Sequence, residues 1–200
     1  VTAKGYKQQP DEYGKTHAPC PSAASSRLCT VTALMHGWKQ SSSDVSGAYM
    51  QGIFKEHERT LYDPPPELGE DPEFVWEMLR AIYGLKSSGR VWSETADEFV
   101  RTLSYDGNAM KPTVSDPCVY TMRDRHNKLL AVLDLHVDDF RHCGEPEVVA
   151  YLKKALADKW KVTSNDLVER HLGINYKWSK DGDSVELDQH DKIEDILRQH

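Results

Sequence analysis

The 200-residue sequence has no apolar run near the roughly 18 residues a helix needs to cross a bilayer, and no basic-then-apolar leader pattern at its start. A soluble chain that is not exported is expected. Cysteine is scarce: Cys20, Cys29, Cys118 and Cys143 stand far apart without CxxC spacing, which argues against a disulfide framework or a zinc site and for reduced, structural thiols. An excess of positive charge is missing too. The formal net charge of −7 disfavours a protein that coats DNA, although it leaves room for a local basic groove. The nine histidines are scattered rather than clustered, so solvated or internally satisfied imidazoles are expected instead of a ligand set. Internal repeats and low-complexity tracts are absent.

What is present is enough for one good core, or one core with an attached lobe, since domains commonly run to roughly 100 to 200 residues. The chain begins at Val1 with ordered polar sequence and reads as a piece of a longer one. A short strand followed by a loop is expected over the polar, turn-rich residues 1–25. Leu28, Val31, Leu34, Met35 and Trp38 recur at three-and-four spacing, predicting an amphipathic helix from Ser26 to about Gly37. Trp92, Ala96, Phe99, Val100 and Leu103 predict a second, and Val148, Val149, Leu152, Leu156 and Trp160 a third. Residues 58–62 read as an edge strand stopped by Pro64–Pro66, and residues 74–85 as either strand or short helix. Cys118 to Cys143 changes to a period of two, so strands joined by tight turns are expected there. A hairpin about the Asp181-Gly182 pair and a terminal helix through Ile193, Ile196 and Leu197 complete an α+β sandwich with helices on one sheet face.

The stretch LLAVLDLHVDDF, Leu129 to Phe140, drives an apolar strand into two adjacent carboxylates, with Asp134 just upstream. On a strand, Asp134, His136 and Asp138 share one face and Leu133, Leu135 and Val137 the other. A tight turn at the Asp138–Asp139 step would let both carboxylates approach one point, and a hard divalent cation would supply the missing positive charge. Taken alone, the VDD stretch is better explained as a solvated β-turn, since aspartate favours turns. A second carboxylate, Asp44 in SSSDVSGAYMQG, is by itself again an ordinary turn residue beside Ser and Gly, and it is the matching context of the two that favours a site.

Taken in order, these residues carry a resemblance. HVDDF resembles the YVDD box of reverse transcriptases and DVSGAYMQG their DVxxAF/Y segment. AKGYKQQ (3–9), AIYGLKSSGRVW (81–92), SDPCVY (115–120), HLGI (171–174) and SKDGDSVELDQHDKIEDIL (179–197) resemble further landmarks of the copia-type retrotransposon polymerase, in the same order. The resemblance implies the fingers and palm of a right-hand polymerase, with an antiparallel palm sheet backed by helices and the thumb missing or incomplete. Residues of about 1–43 and 50–90 would be fingers-like and connecting parts, and 44–49 with about 91–200 mainly palm.

It implies an RNA-directed DNA polymerase that joins a deoxynucleoside triphosphate to the 3′-hydroxyl of a primer on an RNA or DNA template. Asp44, Asp138 and Asp139 would be the catalytic residues and the ligands of two Mg²⁺ or Mn²⁺ ions. Lys4, Tyr49, Tyr83 and Lys86 would bind the nucleotide, Tyr49 lying under the sugar and Gly84 allowing close backbone approach; His136 would contact the primer. The parent polyprotein would also carry ribonuclease H and integrase domains and act in a cytoplasmic particle or the nucleus. Departures from the family pattern bear on competence. His136 replaces the usual tyrosine, Asp134 stands at a normally apolar position, Ser87 and Gly89 replace the usual Gln and Pro, and His17 replaces an aromatic. The alternative is therefore a catalytically inactive relic, acting at most as a nucleic-acid-binding or interaction module.

Overall fold

A computed structural model describes residues 2–9, 13–59, 61–69, 71 and 73–199. In chain order its main elements are α1 (Ala23–His36), β1 (Gln40–Val45), α2 (Ala48–Gln51), β2 (Leu61–Tyr62), β3 (Trp76–Glu77) and α3 (Ser88–Thr102). There follow β4 (Ser104–Tyr105), β5 (Asn108–Pro112), β6 (Val119–Arg123), β7 (Leu129–His136), β8 (Asp139–Gly144) and α4 (Pro146–Lys159). The chain ends with β9 (Val162–Asn165), β10 (Arg170–His171), β11 (Ile174–Trp178), β12 (Val185–Asp188) and α5 (His190–Gln199). Among the described residues no helix is long and apolar enough to cross a membrane. Two compact units result, one from Val1–Cys20 with Gly47–Thr102 and the other from Pro21–Ser46 with Leu103–His200.

In the first unit, α3 buries Val91, Trp92, Ala96 and Val100, as its helical spacing predicts. Phe54, Ala81, Leu85 and Val91 form a small core against which Ala3, Tyr62, Met78 and Ile82 pack. The strand expected near the start is a single 3-10 turn, Gly5–Lys7, because the segment bonds to a loop rather than to a sheet: the Ala3 amide donates to the Tyr83 carbonyl at 2.8 Å. The edge strand expected over 58–62 shortens to β2, paired with β3; Thr60 lies outside the described residues. Gly84 is where the two segments meet. Its φ is +95°, and a Cβ there would fall 2.0 Å from the Ala3 carbonyl oxygen. Gly84→Ala should therefore lower stability by about 2 kcal/mol, read as a fall in the thermal midpoint, since both backbone strain and a backbone collision oppose it.

The second unit is built on a seven-stranded antiparallel sheet of order β4-β5-β6-β7-β8-β1-β9. Together with a separate three-stranded sheet, β10-β11-β12, and its helices, this is an α+β arrangement. Helices lie against both faces of the large sheet, not one. Phe140 and Arg141 are consecutive on β8 and so point oppositely; Phe140 stacks on Trp160 at the end of α4, whereas Arg141 bonds to α1.

Helix α1 forms where its spacing predicts, with Ser22 accepting from the Ser25 amide at its start and a left-handed Gly37 at its end. It buries a different face. Ser26, Cys29, Thr30 and Ala33 face the sheet, while Leu28, Val31 and Met35 are exposed. The cause lies on β7 and β8, where a buried Asp134–Arg141 pair needs polar partners that a leucine stripe cannot supply. Helix α4 agrees with expectation, burying Val148, Leu152 and Leu156. In α5 none of Ile193, Ile196 or Leu197 is buried.

Candidate active site

β1 and β8 run antiparallel with Asp44 opposite Asp139, and β7 meets β8 with His136 opposite Asp139. The β7–β8 connection is thus a two-residue hairpin turn made by Val137 and Asp138, one residue earlier than the Asp138–Asp139 step expected from the sequence. Val137 has φ of +56° while Asp138 does not have a positive φ, the pattern of a type II′ turn whose first central position normally calls for glycine. A β-branched residue there stores roughly 1–3 kcal/mol of strain, a cost characteristic of sites where geometry serves function. The turn is anchored to its neighbour by the Val45 amide, which donates to the Asp138 carbonyl at 2.9 Å. Asp44, Asp138 and Asp139 are thereby gathered at one end of the sheet.

Their electrostatics follow from that crowding. Partial burial and then the adjacent Asp138 and Asp139 charges raise the Asp44 carboxyl above its ordinary range. Asp139 accepts a 2.7 Å hydrogen bond at Oδ2 from His171 Nδ1, and its Oδ1 is buried with no partner among the described residues. His136 is half-buried, its ring edge-on to His171 at 6.4 Å between centroids; burial and then His171 lower its pKa. Among the described residues no three His, Cys, Asp or Glu side chains converge closely enough to form a finished metal site. What suits a hard cation here is the all-oxygen donor set, the accumulated negative charge and the orphaned Asp139 oxygen.

Asp134 does not join this group. Although it shares the face of His136, it is only 2% exposed and its carboxylate is held by Arg141, with Nε donating to Oδ1 at 3.1 Å and Nη2 donating to Oδ2. The extra carboxylate that strand alternation assigns to the acidic cluster is instead neutralised inside the core. The signal for this, Arg141 seven residues on across a two-residue hairpin, is present in the sequence.

The remaining expected site residues lie in the first unit. Tyr49, on α2, and Tyr83 stand with ring centroids 5.4 Å apart and tilted by 54°. Lys4 is exposed and immediately precedes the 3-10 turn. Lys86 is committed internally: Nζ donates to the Gln8 carbonyl and to the Tyr13 hydroxyl, both at 3.1 Å, and lies 4.4 Å from the centre of the Tyr13 ring.

Comparison with known proteins decides the family. Residues 1–200 match the family described as reverse transcriptase (RNA-dependent DNA polymerase). The chain belongs to that family. It is 26% identical over 200 residues, 98% of its length, to the retrovirus-related Pol polyprotein from transposon RE1 of Arabidopsis thaliana. To that from transposon RE2 of the same plant it is 27% identical over 180 residues, 88% of its length, and to that from transposon TNT 1-94 of Nicotiana tabacum 25% over 202 residues, 98% of its length. It spans only 13%, 12% and 14% of those three polyproteins. No solved structure matches it. The copia-type resemblance carried by the motifs thus holds over residues 1–200.

One residue at this domain's acidic cluster escapes sequence reasoning: His171, whose HLGI segment stands in the sequence only as a family landmark. Leu172 and Gly173 both have positive φ, 52° and 73°, so HLGI is a type I′ hairpin joining β10 to β11. A Leu-Gly turn between short polar strands is a weak signal, and nothing in the sequence says that its first residue faces Asp139.

Proposed function

We propose that this domain is the fingers and palm portion of a right-hand RNA-directed DNA polymerase, transferring a nucleotidyl group from a deoxynucleoside triphosphate to a primer 3′-hydroxyl. The observation that carries the reading is the gathering of three carboxylates, one on β1 and two at the β7–β8 turn, at one end of one sheet. In this reading residues 44–49 and about 91–200 are mainly palm, and about 1–43 and 50–90 are fingers-like and connecting parts. Asp44, Asp138 and Asp139 hold two divalent cations, Mg²⁺ or Mn²⁺, which when bound activate the primer hydroxyl and offset charge on the departing pyrophosphate. No side chain acts as a covalent nucleophile.

The chain's own residues do the placing. The strained Val137 turn and its bond from Val45 fix Asp138 beside Asp44, so that the negative charge awaiting a cation is set before substrate arrives. Tyr49 and Tyr83 offer flat faces to a sugar and base, with Tyr49 excluding a 2′-hydroxyl by bulk. Lys4 offers an ammonium to a triphosphate, and Lys86 ties Gln8 and Tyr13 to the YGLK loop. His136 contacts the primer. The template, primer and further Pol domains, ribonuclease H and integrase, complete the assembly.

Primer extension on a primed homopolymer RNA with Mg²⁺, comparing the chain with its Asp138→Asn variant, tests this reading. Extension by the unsubstituted chain that falls to background in the variant is the expected result. A folded chain that binds primed template and does not extend it would overturn the reading in favour of an inactive relic.

A further inference from the structure

His171 is 3% exposed and comes from β10, outside the sheet that carries the aspartates. A carboxylate can only accept, so the 2.7 Å contact with Asp139 Oδ2 places a proton on Nδ1 of the ring. The carboxylate torsion of an aspartate is broad and roughly two-fold, leaving its oxygens interchangeable unless something selects one. Here one oxygen is claimed by the imidazole. The other, Oδ1, is buried, has no partner among the described residues and belongs to the strand end shared with Asp44. Ordinary packing does not explain this arrangement, because a phenylalanine at 171 would fill the same space without leaving an imidazole Nε2 buried and unsatisfied.

We propose that His171 is a positioning residue for Asp139: by holding Oδ2 it presents Oδ1 as the one oxygen available to a divalent cation. The proposal rests on the polymerase reading for its purpose, and on the hydrogen bond alone for its geometry. Partners that orient a metal-binding side chain typically contribute about 10–100-fold in metal affinity. His171→Phe keeps a planar ring and loses the donor; His171→Asn keeps an N–H donor of similar reach.

The test is Mn²⁺ affinity of the 200-residue chain, measured by calorimetry in the absence of nucleotide and primer, for wild type, His171→Phe, His171→Asn, Asp139→Asn and the Phe/Asn double variant. The expected result is a loss of about tenfold for His171→Phe, recovery to within about threefold for His171→Asn, and no further loss from the phenylalanine once Asp139 is replaced. Wild-type affinity in His171→Phe, an undiminished effect of the phenylalanine in the Asp139→Asn background, or no Mn²⁺ binding by wild type would each overturn it. A measurement on the unsubstituted chain covers a variant that fails to fold: Mg²⁺ should shift the imidazole ¹⁵N resonance of His171 Nδ1, and an unmoved resonance at saturating Mg²⁺ would overturn the proposal equally. Mn²⁺ binding with the expected pattern but without primer extension would leave the positioning role standing while the polymerase reading falls.

Discussion

Arg141→Met should lower the unfolding free energy by about 3–5 kcal/mol. The guanidinium is 1% exposed. Its Nε and Nη2 donate to the Asp134 carboxylate; Nη1 donates to Thr30 Oγ1 at 3.3 Å and to the Tyr176 hydroxyl at 2.8 Å, and Nη2 also donates to the Ser26 carbonyl at 2.8 Å. These contacts occupy all five N–H groups of the arginine. Methionine fills much of the volume and supplies none of this, so Asp134 is left as a buried charge with Ser26 Oγ, 3.2 Å away, as its remaining side-chain donor among the described residues. Urea unfolding measures the loss, and a change under about 1 kcal/mol would be incompatible with a buried guanidinium whose donors are all in use. Adding Asp134→Leu to Arg141→Met should recover a large part of the loss, because removing both charges abolishes the desolvation penalty that removing one exposes.

Acidification should destabilise the second unit through His142. This imidazole is buried between β8 and its neighbour β1, with Ser41 Oγ 2.7 Å from Nδ1 and Ser43 Oγ 3.1 Å from Nε2. Burial, and then the nearby Lys153 ammonium, push its pKa down to about 4, with Asp139 opposing weakly. An unfolded histidine takes up its proton near pH 6.5, roughly. Between those two values the unfolded chain holds one more proton than the folded one, so stability rises with pH across that window. The contribution is complete above about pH 6.5, is lost as pH falls toward about 4, and changes no further below that. From about pH 7 to about pH 5 it amounts to about 2 kcal/mol, and over the full window to about 3 kcal/mol. Urea midpoints at the two pH values, compared with those of His142→Asn, isolate it from the carboxylates that titrate in the same range. A variant whose stability falls as steeply with pH as wild type would exclude His142 as the cause.

Much of the fold was legible where a single periodicity governed. Helices α3 and α4 and the strands β6, β7 and β8 lie near their expected places because their apolar residues have no competing use. Helix α1 shows where that reasoning stops. Its position was readable from spacing, yet its buried face was chosen by Arg141 and Asp134, charges that lie more than a hundred residues away and outrank three large apolar side chains. At the acidic cluster, Asp44, Asp138 and Asp139 were identifiable through motif resemblance, and strand pairing explains how β1 and the β7–β8 turn come together. The turn itself falls one residue from expectation because a valine with positive φ contradicts every local preference for that position. His171 was hidden for a different reason: its role depends on where a separate three-stranded sheet sits, which no local pattern encodes.

The core ion pair has a consequence for how the hairpin finds its partner strand. Asp134 and Arg141 stand directly opposite each other on β7 and β8. Sliding one strand past the other by a single residue would turn one of the two toward α4 and the ring of Trp160, stranding a charge among apolar side chains. Strands rich in leucine and valine tolerate such misalignment far more readily than strands carrying a charge that must meet its opposite. The pair therefore penalises a one-residue misalignment of the hairpin, and through it favours the alignment that places Val137 and Asp138 in the turn and Asp139 opposite Asp44.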